Sequence, residues 1–153
     1  QIIRTKIYIM FKKIFGKQEK KIDKDLTKNI TLVAALLVHA ARIDENYTNL
    51  EKEIIKKAII SLDASNANQV EKILEIAEKK EMESNQIVEF TREIKKYSNE
   101  FKLKIIEILW KIVYSDGSND NYESNLIRRV CGLLYISDKE NGEIKLKVKN
   151  LFK

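Results

Sequence analysis

Two short acidic stretches carry the residues best placed to do chemistry. Asp44, Asn46, Thr48 and Glu51 set side-chain oxygens at positions 1, 3, 5 and 8 of one stretch, and Asp116, Ser118, Asp120 and Glu123 repeat that spacing in another. Alternating oxygens in a tight loop are how hard cations are held, so these eight residues are the candidate metal ligands, with calcium or magnesium as the candidate ion. An EF-hand is excluded. It needs Gly at position 6 and Glu at position 12, where this chain has Asn49 and Ile55 in the first stretch and Asn121 and Ile127 in the second. The same residues also admit a purely structural chemistry. Thr48-x-x-Glu51 and Asp120-x-x-Glu123 read as capping boxes, whose side chains satisfy the orphan N–H groups at a helix start. Capping accounts for Thr48, Glu51, Asp120 and Glu123 but leaves Asp44 and Asp116, which face the negative end of the preceding helix unless a turn or a cation compensates. If either stretch binds a cation, the second is expected to bind it more tightly, because it offers three carboxylates and the flexible Gly117.

Other reactive constellations are missing. The chain has one His and one Cys, so neither a zinc set nor a cysteine–histidine nucleophile pair can be assembled. His39 shares a stripe with Leu32, Leu36 and Ile43, which points to a core or interface histidine. Cys131 lies in the run Val130-Cys131-Gly132-Leu133-Leu134 and reads as a buried structural thiol. Such cysteine usage fits a reducing cytoplasm. No glycine-rich phosphate loop is present, and Glu51 and Glu53 face different sides of a helix, so a hydrolase built on these carboxylates is the weakest functional reading. No enzymatic activity is expected.

The elements that position the two stretches form a repeat. Leu37–Ile60 lies on Leu109–Gly132 without a gap, each position offset by 72. Both copies run apolar helix, acidic loop, capping residue, amphipathic helix. With four Gly and no Pro in 153 residues, the fold class expected is all-α, a compact bundle of about seven helices with an internal pseudo-twofold helix-loop-helix repeat. Apolar spacing puts a first helix at about 25–43, a second on Leu50, Ile54, Ala58 and Leu62, and a third on Val70, Ile73, Leu74 and Ala77. A fourth follows on Ile87, Phe90, Ile94 and Tyr97. The stretch 101–114, apolar almost all round and holding Trp110, is the second central helix. A sixth is set on Tyr122, Leu126, Val130 and Leu133. The last carries Ile144, Val148, Leu151 and Phe152 after the capping signature Ser137-x-x-Glu140.

Charge divides the chain unevenly. Residues 1–30 hold nine Lys or Arg against three Asp or Glu, which is the whole formal net charge of +6. A basic amphipathic arm is therefore read over 1–24 and a helical domain over 25–153. Met10, Phe11, Ile14 and Phe15 beside Lys12, Lys13 and Lys17 fit two roles, contact with an anionic membrane surface or packing back on the domain. Met10-Phe-Lys-Lys resembles a natural start, which makes residues 1–9 a candidate non-native segment. No signal peptide is expected. The apolar stretch Leu32 to Ala41, interrupted by His39, falls short of the roughly 20 residues that span a bilayer. A cytoplasmic protein, peripheral at the inner face of the membrane if the arm engages it, is the resulting expectation. Nucleic acid is not expected as a partner, because no basic face with interleaved aromatics is spread over the domain.

The helix ending in Ala40-Ala41-Arg42-Ile43-Asp44, the acidic loop, Glu51 opening the next helix, and Tyr114-Ser115-Asp116-Gly117 through Glu123 together resemble the TerB-like domains. These are named for bacterial tellurite resistance and are similar to the N-terminal domain of a membrane-anchored DnaJ-like co-chaperone. The resemblance covers roughly residues 26–153. It implies an all-helical domain with internal pseudo-symmetry, acidic loops proposed to take a cation or a protein partner, a bacterial source and no established enzymatic activity. It also implies a binding or scaffolding role in stress response or at the envelope. Glu45 stands where a Gly is usual after the loop Asp.

Overall fold

The computed structural model describes the backbone of residues 19–43, 45–84, 86–115 and 121–152, and side chains from Asn29 onward within these apart from 121–123. Among these residues seven α-helices follow in order: α1 Glu19–Ala41, α2 Asn49–Leu62, α3 Val70–Glu83, α4 Ile87–Ile94, α5 Asn99–Ser115, α6 Asn121–Leu133 and α7 Asp138–Leu151. A short 3-10 turn, Ala64–Asn68, joins α2 to α3. Among the described residues there is no strand, and no helix is long and apolar enough to cross a membrane.

Two helices make the centre because their apolar residues leave no polar face. Val33 through Val38 of α1 are all buried, as are Ile105, Ile106, Leu109, Trp110, Ile112 and Val113 of α5. A helix that is apolar all round must be covered on every side. α1 is accordingly packed by α2, α3, α4 and α5, and α5 by α1, α2, α6 and α7. The surrounding helices each turn one stripe inward, such as Ile73, Leu74 and Ala77 of α3. Trp110 is enclosed with its Nε1–H donating to Asn141 Oδ1 at 2.9 Å, so the indole's polar atom is met by α7.

The repeat is visible in the packing. α2 begins at Asn49 and α6 at Asn121, the positions related by the sequence offset. Leu37 and Leu109 are both fully buried, and so are Ile55 and Ile127. α3 lies against α1 as α7 lies against α5. The symmetry is broken by α4, which packs on both α1 and α6, whereas α2 meets α5 directly.

Helix ends differ in places from the periodicity. α1 begins at Glu19 rather than near 25, since Glu-Lys-Lys-Ile-Asp-Lys-Asp-Leu is made largely of good helix formers that apolar spacing does not register. α4 stops at Ile94. Tyr97 therefore sits in the following turn, where Asn29 donates to its hydroxyl and its ring lies 4.9 Å from that of Phe101. Leu50, Leu151 and Phe152, each placed on an inward stripe by sequence, are 58%, 62% and 49% exposed.

Among the described residues, two non-glycine residues take the left-handed conformation at helix exits, Glu45 at φ 62° and Tyr135 at φ 60°. Tyr135 occupies a Schellman turn: Ile136 N–H donates to Cys131 O at 2.9 Å and Tyr135 N–H to Gly132 O at 3.3 Å. Glu45 N–H donates to Arg42 O at 3.0 Å. The position at which TerB-like domains usually carry Gly is thus one whose backbone favours Gly.

Candidate functional site

The first acidic stretch folds as a capped helix start. Thr48 Oγ1 accepts from Glu51 N–H at 3.2 Å, while Glu51 Oε1 accepts from Thr48 N–H and from the Thr48 hydroxyl, both at 3.0 Å. Glu51 is 1% exposed. Of the proposed ligands, Thr48 and Glu51 are brought together, bonded to each other, and Asn46 is exposed. Asp44, Asp116, Ser118 and Asp120 lie outside the described residues, as does the side chain of Glu123. Among the described residues no group of three or more His, Cys, Asp or Glu is placed to hold a metal ion.

A polar cluster that spacing alone does not reveal ties the end of α1 to α3. Glu81, 7% exposed, receives Arg42 Nη1 on Oε2, and its Oε1 lies 3.1 Å from His39 Nδ1. Tyr47, just beyond the acidic stretch, donates to Glu78 Oε1 at 3.3 Å. Its ring carries the Arg42 guanidinium 5.2 Å from the centroid and the Lys52 ammonium 4.9 Å from it. Burial, reinforced by the Glu78 carboxylate, raises the Tyr47 phenol well above its ordinary value. The buried Glu81 carboxylate is therefore matched by neighbouring donors, as a buried charge requires. His39 is an interface histidine, as its stripe suggested. The one signal in the sequence was that His39 and Arg42, one turn apart at the end of α1, face a helix rich in Glu.

Cys131 is buried, and desolvation, aided by Asp138 and Glu140, pushes its thiol up to about 12. Lys102, 8% exposed, donates to Leu134 O at 3.0 Å and Lys95 O at 3.4 Å, closing the ends of α6 and α4. Lys102 is thereby committed to joining helix ends, and Cys131 is enclosed in the core.

Among the described residues, an open groove lies elsewhere, between α2 and α5. A groove of about 260 Å³ is floored by Ile54, Ala58 and Ile108 and bounded by Phe152, with Lys57, Ser61 and Lys111 at its margin. The Phe152 ring is held 6.5 Å from Tyr114, which stacks on Trp110 at 5.9 Å. Along α2, Leu50, Ile54, Lys57 and Ser61 recur at helical spacing, so exposed Leu50 continues the apolar line one turn beyond Ile54. The sequence signal was a surplus: α2 buries Ile55, Ala58 and Ile59 for the core, while Ile54 is only partly covered by it and Leu50 stays exposed.

A family model described as tellurite resistance protein TerB matches residues 31–146. The chain belongs to the TerB family. No curated protein and no solved structure matches it. The TerB match runs from the apolar half of α1 into α7, and so takes in both acidic stretches, the Glu81 cluster and every groove residue except Phe152.

Proposed function

We propose that this TerB-family chain is a non-catalytic docking module that takes hold of a protein partner through the groove between α2 and α5. The observation that carries this reading is the groove's lining. It is apolar, with two lysines and a serine at its margin and no carboxylate, imidazole or thiol. Its volume lies below the roughly 300–1,000 Å³ usual for small-molecule sites, which suits an anchor side chain of a partner better than a substrate. Meanwhile the buried ionisable groups that would have to do chemistry are engaged in a cap, an interhelical ion pair and helix ends. The family resemblance extends the reading to a stress-response or envelope-associated scaffold.

The test is a titration of the ¹⁵N-labelled chain with a neutral amphipathic helical peptide presenting a Leu face. Docking predicts amide shifts gathered at Ile54, Ala58 and Ile108 that disappear in Ile54→Gln. Shifts scattered over the bundle, or none, contradict it.

A further inference from the structure

We infer that the partner segment taken by the groove is an acidic amphipathic helix, whose carboxylates meet Lys57 and Lys111; this rests on the docking reading above. The argument is one of charge left over. On α2, Glu53 stands one turn before Lys57, yet it is taken by Lys56 at 3.2 Å, which also holds Glu71 at 2.9 Å. On α5, Glu107 stands one turn before Lys111, yet it is taken by Lys147 at 3.0 Å. Each carboxylate that helical spacing would give to a groove lysine is thus paired with a lysine outside the groove.

Among the described residues, neither Lys57 nor Lys111 lies within ion-pair distance of a carboxylate. The two lysines come from different helices and border the same apolar floor of Ile54, Ala58 and Ile108. A segment that enters this floor with apolar side chains and carries acidic residues on its flanks satisfies both features at once. Helix-in-groove recognition has that form, with apolar anchors at helical spacing and charge at the rim setting specificity. The basic N-terminal stretch of this chain, with nine Lys or Arg against three Asp or Glu over residues 1–30, carries the wrong sign.

Three synthetic helical peptides sharing one Leu face and flanked by Glu, Gln or Lys make the test, read by fluorescence anisotropy with the full chain. Two rim ion pairs predict the Glu peptide binding about tenfold more tightly than the Gln peptide, the Lys peptide most weakly, and the preference shrinking as salt rises. Lys57→Glu with Lys111→Glu should invert the order, and Lys57→Gln with Lys111→Gln should erase the Glu-over-Gln preference if the reversed pair does not fold. Equal affinity for the Glu and Gln peptides, with shifts still at Ile54 and Ile108, overturns the acidic partner and leaves the docking groove standing. Preference for the Lys peptide overturns it in favour of a basic occupant. No shift at the groove with any peptide overturns both readings.

Discussion

Lys102 donates to the Leu134 carbonyl at 3.0 Å from the position that the offset of 72, carried upstream of Leu37 and Leu109, pairs with Ile30. Both side chains are buried, one as a cap and one as core. The substitution follows from the break in symmetry, because α4 ends beside α5 and presents the Lys95 carbonyl to the same ammonium.

Replacing Lys102 by Met keeps the apolar stem and removes the donor, so the Leu134 carbonyl is left unmet. A loss of about 1–3 kcal/mol is expected, seen as a lower urea midpoint with an unchanged slope. An unchanged midpoint would show that water takes over both carbonyls.

Glu45 and Tyr135 hold left-handed backbone at φ 62° and 60°. The side-chain penalty there is about 1–2 kcal/mol and the extra entropy of an unfolded Gly takes back roughly 0.5–1. Glu45→Gly and Tyr135→Gly are therefore each expected to raise the melting midpoint, by a net gain of about 0.5–1 kcal/mol. Tyr135 is 76% exposed and gives up little packing. The corresponding Ala variants should show no such gain.

Thr48→Ala removes one half of the capping box and is expected to cost roughly 0.5–2 kcal/mol. The capping account predicts the same loss in EDTA and in millimolar calcium. A midpoint of the intact chain that rises with calcium or magnesium and stops rising in Asp116→Ala would instead assign an ion to the second acidic stretch.

Cys131 should resist alkylation at neutral pH and react fully once the chain is unfolded. Its folded pKa, raised from 9.0 to about 12 mainly by burial, also gives a pH dependence. The folded state holds the thiol proton more tightly than the unfolded chain. Its contribution to stability is thus complete below pH 9 and lost as pH rises toward 12. Cys131→Ala should flatten that alkaline fall. Rapid alkylation of the native chain would contradict the buried placement.

The helix order and the repeat were legible because their signals are local. Leu37 and Leu109 sit in runs too apolar to face water, and Thr48-x-x-Glu51 and Ser137-x-x-Glu140 mark helix starts within four residues of sequence. Both capping boxes form as written, the second with Glu140 N–H donating to Ser137 Oγ at 3.1 Å. What periodicity does not carry is pairing over distance. Glu81 finds Arg42 and His39 across 39 and 42 positions, and Lys102 finds Leu134 across 32. The groove was hidden for the same reason. Leu50 and Phe152 read as core residues until the packing shows that Ile55, Ile59 and Val148 already fill the inward positions and that Ile54 is covered on one side only.

The docking account is tested most directly by intermolecular NOEs between the methyl groups of Ile54 and Ile108 and a Glu-flanked, Leu-faced helical peptide bound to the full chain. The account predicts NOEs from the peptide's Leu methyls to both isoleucines and to the Phe152 ring, all lost in Ile54→Gln while the helical melt persists. NOEs to the exposed α3 residues Ile76 and Met82 in place of the groove, or none at saturating peptide, would contradict it.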